Sequence, residues 1–211
     1  MPDDISRTPR GLLIFGFGGH ARSVADVALA AGVEELRFID GNARAGESFH
    51  GFPVLTSWDE PLPEGWAAFP AAGDNQRRRQ QIDAIETAGW PLATIIAPSA
   101  TLGIECSIAA GCFIGHQAHV GPVANVGKGC IINSGAIVEH ESVVGDFSHI
   151  AVNATLAWRS RAGRGNFIGA GATVIDGITL ADDVQVGAGG VVSRSLDASG
   201  LYVGVPVRKV L

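Results

Sequence analysis

Two adjacent residues carry the clearest chemical potential in this chain: His140 and Glu141, in the segment VEHESVVGDFSH. An imidazole titrates near neutrality. A neighbouring carboxylate fixes its tautomer and favours the imidazolium formed on taking a proton, so the pair suits general-base work. His116 and His119 have no adjacent acid and read as surface or packing residues, and His50 falls in a loop. Cys106, Cys112 and Cys130 are odd in number and match no metal-ligand spacing. They read as buried thiols of a reducing cytoplasm, with no metal site expected.

A second group could hold a phosphate or a sugar. Gly16, Gly18 and Gly19 follow the apolar run Gly11-Leu12-Leu13-Ile14-Phe15 and precede His20. Such a turn lets backbone N–H groups approach an anion at a helix N-terminus. Asp40-Gly41 ends the next apolar run about twenty residues on, where a Rossmann-like unit commonly places an acid against a ribose or base. Gly73-Asp74-Asn75 repeats the strand-to-helix turn. Each of these could equally serve only to make a tight connection or cap a helix.

The elements that position these residues are legible from period. Cut into sixes from Ile96 to Val191, the chain gives sixteen hexads without an insertion. The first position is Ile, Leu or Val in fifteen of them, and the fifth is Ala, Ser, Cys or Gly in thirteen. A six-residue beat does not fit a helix but fits one short strand plus one bend. Three such sides close a coil of eighteen residues, so the stretch predicts a little over five coils of parallel β-helix, roughly 24 to 26 Å tall. Glycine at the second position, as in Gly103, Gly121 and Gly145, is expected to free the backbone to turn. His140 falls at the third, bend position and should point outward.

The preceding residues predict an α/β unit: strands at 11–16, 35–39 and 66–72, an edge segment at 51–55, and helices at 21–31 and 77–88. The expected organisation is a lead at 1–10, a Rossmann-like domain at 11–95, the β-helix at 96–192 and a tail at 193–211. At about 90 residues the first domain is short for a dinucleotide fold, which favours a mononucleotide ligand. The net charge of −6 argues against a nucleic-acid partner. Arg77-Arg78-Arg79 reads as the solvated face of a helix start. No run of eighteen apolar residues and no apolar signal core appear, so neither a membrane span nor secretion is expected.

Taken together, FGFGGHA, Phe38-Ile39-Asp40, Gly73-Asp74-Asn75, VEHESVVGDFSHI, Gly169-Ala170-Gly171-Ala172-Thr173 and Tyr202-Val203-Gly204-Val205-Pro206 resemble the NeuD and PglD sugar acyltransferases across nearly the whole chain. The resemblance implies that the β-helix is left-handed and that the protein is a cytoplasmic homotrimer with the donor lying between neighbouring β-helices. It implies direct transfer from acetyl-CoA to a nucleotide-linked 4-amino sugar for surface glycans, with His140 as base and Glu141 as its acidic partner. By the same resemblance His149, Ala170 and Ala188 contact the acetyl-CoA, while Gly18, Gly19, His20, Asp40, Gly41 and Gly73 hold the acceptor. O-acetylation of a sialic acid or another free sugar, or a non-catalytic assembly or sugar-sensing role, are the alternatives. Trp158 departs from the smaller residues usual there and is expected to narrow the donor groove. Arg159, Arg161 and Arg164 would either reach a phosphate of CoA or be ordinary exposed charges.

Overall fold

The computed structural model describes residues 8–210, so the predicted lead lies mostly outside the described residues. An α/β domain comes first: β1 (Gly11–Phe15), α1 (Gly19–Ala30), β2 (Glu35–Ile39), β3 (Ser48–Phe49), β4 (Phe52–Leu55), β5 (Trp66–Pro70) and α2 (Asn75–Thr87). The sheet order is β3-β4-β2-β1-β5, parallel except for the β3–β4 hairpin. The segment expected at the edge is therefore one strand in from it. Both helices begin two residues earlier than expected. Gly18 is the N-cap of α1, and Asp74 caps α2 by accepting from the Arg77 amide at 2.8 Å.

From Ile95 onwards two-residue strands wind into a parallel β-helix of three faces, five full coils and two sides of a sixth. The first or docking face runs through Phe113–Ile114, Ile131–Ile132, His149–Ile150 and Phe167–Ile168. The second runs through His119–Val120, Ile137–Val138 and Thr155–Leu156. The third runs through Asn125–Val126, Val143–Val144 and Arg161–Ala162. Each residue pairs with the one eighteen further on, as in Ile131 with His149 and Val138 with Leu156. First-position residues Ile114, Ile132, Ile150, Ile168 and Val186 stack inside with no exposure. Serine at the fifth position is tolerated because its hydroxyl finds a carbonyl: Ser142 Oγ donates to Ala157 O and Ser148 Oγ to Gly163 O, both at 2.9 Å.

The glycines divide differently from the expectation. Second-position glycines do not make the turn. They allow the coils to stack, since a Cβ on Gly121 would come within 2.6 Å of His140 N and one on Gly145 within 2.6 Å of Gly163 C. The left-handed backbone conformation falls instead at the fourth position, where Glu105, Val123, Glu141 and Arg159 have φ of 56 to 60° along one edge. Residues 193–210, within the expected tail, fold against the end of the β-helix. Gly200–Gly204 pairs in parallel with Val184–Val186 and then antiparallel with Val207–Lys209, and Leu196, Tyr202 and Val207 close the end of the core.

The α/β domain sits on the docking face. Phe113 and Ile131 point outward from that face into an apolar cluster with α1 and the sheet. Arg78, expected on a solvated surface, is completely buried there. Its guanidinium donates to the carbonyls of Gly129 (2.7 Å), Ala72, Gly73 and Phe147 (2.8 Å) and to Asn75 Oδ1 (2.8 Å). Burial lowers its pKa to about 10. Asn75 Nδ2 in turn donates to Gly165 O and Asn166 O. At the flanking edges Asp26 meets His116 at 3.2 Å and Glu86 meets Lys128, so His116 does have an acid, supplied by α1 rather than by its neighbours in sequence.

Candidate active site

His140 and Glu141 form the bend between the second and third faces. The side chains are 46% and 42% exposed, and His140 Nδ1 lies 3.3 Å from Glu141 Oε1. Among the described residues Nε2 has no partner, which leaves it free to take a proton from a group arriving from outside. Glu141 also accepts from Arg159, Nε to Oε2 at 2.9 Å and Nη2 to Oε1 at 3.3 Å. That contact is the main reason its carboxyl pKa is lowered, with the imidazole adding to it. Trp158 stacks on His140, ring centroids 5.9 Å apart and planes 13° from parallel, as the eighteen-residue spacing requires.

At the carboxyl ends of β1, β2 and β5 the sequence-predicted acceptor residues gather around one crevice. No side chain caps α1, and nothing lies within 4 Å of where a Cβ on Gly18, Gly19 or Gly41 would stand. The first-turn amides of α1 are therefore open to an anion. Asp40 is partly committed: Oδ2 accepts from the Phe17 amide at 3.0 Å and Oδ1 from Asn42 at 2.9 Å. It ties two loops of the crevice together while each oxygen retains a lone pair. Gly73 and His20 adjoin, a Cβ on Gly73 falling 3.9 Å from that of His20. The His20 ring packs edge-on against Phe113, and its buried Nε2 has no hydrogen-bond partner among the described residues. Burial first, then the nearby His149 and Arg78, lower its pKa to about 3.

Of the expected donor contacts, His149 lies on the docking face, and Ala170 and Ala188 lie in bends that lead from that face to the second. His149 is 8% exposed. Its Nδ1–H donates to Gly73 O at 3.2 Å, and Nε2 accepts from Asn133 Nδ2 at 3.2 Å. Burial, with help from Arg78, lowers its pKa to about 4. Both nitrogens being used within the chain, a ligand could meet only the ring. Ala170 and Ala188 are exposed at the bends one and two coils beyond, where Gly189 N donates to Ala170 O at 2.8 Å. A groove of about 700 Å³ runs along the other margin of the docking face, from the start of α2 past Phe147 and Arg164 to Phe167 and Gln185.

The structure thus brings His20 and Gly73 together with His149, and leaves Ala170 and Ala188 one and two coils further on, in the bends between the docking face and the second. It does not bring His140 to them. The His140 edge is the one opposite the docking face, so the crevice and His140 lie on different sides of one chain. Trp158 shares the His140 edge rather than flanking the expected donor contacts. Of the three arginines, Arg159 pairs with Glu141 and Arg164 lies 3.6 Å from Asp182. Arg78 is the residue that sequence reasoning missed, its partners being carbonyls 51 and 69 positions away.

Comparison with known proteins agrees with this architecture. The PglD N-terminal domain family matches residues 11–85. The acetyltransferase domain of PglB from Neisseria gonorrhoeae FA1090, solved in complex with acetyl coenzyme A, is 30% identical, with a TM-score of 0.89 over 96% of this chain and 100% of that one. GDP-perosamine N-acetyltransferase from Caulobacter crescentus, solved as a histidine-to-alanine mutant with CoA and GDP-perosamine, is 31% identical, with a TM-score of 0.84 over 94% and 96%. WeeI from Acinetobacter baumannii AYE, at 20% identity and a TM-score of 0.70, shares the fold. With a small α/β domain on a β-helix of the left-handed hexapeptide type, the chain belongs to the NeuD/PglD-type sugar acyltransferases.

Proposed function

We propose that this protein transfers the acetyl group of acetyl-CoA to the amine of a UDP- or GDP-linked 4-amino sugar, with His140 as general base, in the cytoplasmic supply of surface glycans. The observation that carries the reading is the exposed imidazole whose Nδ1 faces Glu141 and whose Nε2 has no partner among the described residues. The complexes of the similar proteins, one with acetyl coenzyme A and one with CoA and GDP-perosamine, support the donor and the class of acceptor. The amine nitrogen attacks the thioester carbonyl, and Nε2 takes the proton that the nitrogen loses. The tetrahedral intermediate collapses by breaking the C–S bond, and the imidazolium returns the proton to the thiolate. Glu141 fixes the tautomer with Nδ1 protonated and favours the transient cation.

Because crevice and base lie on opposite sides of one chain, the working site combines the docking face of one copy with the His140 edge of another, in a trimer. Exposed apolar residues on that edge, Ile104 at 81% and Val123 at 54%, suit contact with a neighbour. The test is incubation with acetyl-CoA and a panel of nucleotide-linked amino sugars, following thiol release, with mass by light scattering. Turnover on one such sugar by a trimer is expected, and Asp40→Ala should abolish nucleotide affinity. An active monomer, or turnover only on free sugars, would overturn the proposal.

A further inference from the structure

The environment of His140 contains more than its acidic neighbour. Parallel stacking sets each coil about 4.8 Å below the last, so whatever stands eighteen residues on is held directly under the residue above. Under His140 that is Trp158, and under Glu141 it is Arg159, a register fixed by the pairing of Ile137 with Thr155 and Val138 with Leu156. Backbone contact makes the fit tighter, since Arg159 N donates to His140 O at 3.1 Å. The four side chains close a ring. Imidazole meets carboxylate at 3.3 Å, carboxylate meets guanidinium at 2.9 and 3.3 Å, the guanidinium carbon lies 4.8 Å from the indole centroid, and the indole stacks on the imidazole.

Building on the assignment of His140 as the base, we propose that Trp158 and Arg159 are positioning residues for it. Trp158 fixes the plane of the imidazole, and the Arg159 fork fixes the carboxylate that orients Nδ1. An exposed histidine on a bend otherwise samples several rotamers, and Glu141, itself 42% exposed, could swing into solvent. A two-point guanidinium grip removes that freedom in a way a single ammonium contact cannot. Arg159 also shares the negative charge of Glu141, moderating how strongly the carboxylate favours the imidazolium. The other charges facing this imidazole are Glu139, whose carboxylate accepts from His140 N at 3.1 Å, and the more distant Glu105 and Asp176, two coils away on the same edge.

The experiment compares kcat, KM for each substrate and the pH profile of Arg159→Gln, Arg159→Lys, Trp158→Leu and Trp158→Phe, with His140→Ala as reference and melting temperature as the check on folding. Arg159→Gln and Trp158→Leu should each lower kcat by roughly ten- to a hundredfold, with KM little changed. Arg159→Gln should also change the pH profile of kcat/KM, because the carboxylate facing Nδ1 has lost its guanidinium partner. Trp158→Phe should restore turnover, and Arg159→Lys should not. Wild-type kcat and pH profile in Arg159→Gln and Trp158→Leu, a change confined to KM, or full rescue by lysine would each overturn the inference. Near-normal turnover in His140→Ala would instead sink the base assignment beneath it, so the two failures are distinguishable.

Discussion

His140 and His149 are separated by half a coil, yet the same side chain meets opposite conditions at the two places. His149 lies under the α/β domain with both nitrogens used: Nδ1–H gives its bond to Gly73, and Nε2 receives the Asn133 amide. Only the neutral ring satisfies both contacts, and burial lowers the pKa to about 4 accordingly. His140 stands on the opposite edge with one nitrogen against a carboxylate and the other unpartnered. One histidine joins two domains; the other, among the described residues, presents an unpartnered nitrogen to solvent. Burial and hydrogen-bond saturation, more than residue type, separate a structural group from a reactive one.

The contrast yields predictions of graded size. The largest is that His140→Ala lowers turnover by on the order of 10²- to 10⁴-fold while leaving the melting temperature unchanged. His149→Ala should do the reverse to stability, and a mutant pair showing the same profile would break the comparison. Next, Arg78→Met removes the donor that six acceptors share, leaving buried carbonyls unpaired. A loss of about 3 to 5 kcal/mol in denaturant unfolding is expected.

Acidification probes the docking face alone. In the unfolded chain His20 and His149 bind protons near pH 6.5, but in the folded protein only near 3 and 4. Their contribution is therefore fully present above pH 6.5 and is lost as pH falls towards 4. The slope is up to about 1.4 kcal/mol per pH unit for each ring. Melting temperatures between pH 7 and 5 should show it, and a His149→Gln variant should have a shallower slope. The smallest effect is that of Asp74→Ala. The α2 cap is exposed to solvent and away from His140, so about 1 kcal/mol of stability should be lost, measurable by thermal melting.

Much of this was readable in the sequence because it depends on short repeats. The six-beat pattern fixes which side chains point inward, and adding eighteen to 140 places Trp158 under the imidazole. The same addition applied to 141 places Arg159 beside the carboxylate, a pairing that inspection of the arginine cluster alone does not reveal. Arg78 could not be read, because a basic residue at a helix start looks solvated until the surface carrying its carbonyl partners is known. The second-position glycines misled for a related reason. A glycine that turns the chain and a glycine that lets another chain segment approach have the same signature in one dimension, and only the stacking distance separates them.

The eighteen-residue register also limits how such a molecule can change length. Insertion of a single six-residue side would move every later bend to the next edge, carrying Ala170 and Ala188 away from the margin they share with the bend after His149. Adding or removing a whole coil preserves all alignments and alters only height. Any line of side chains along the solenoid is therefore a ruler marked in single steps, which evolution or design can lengthen or shorten only by whole notches.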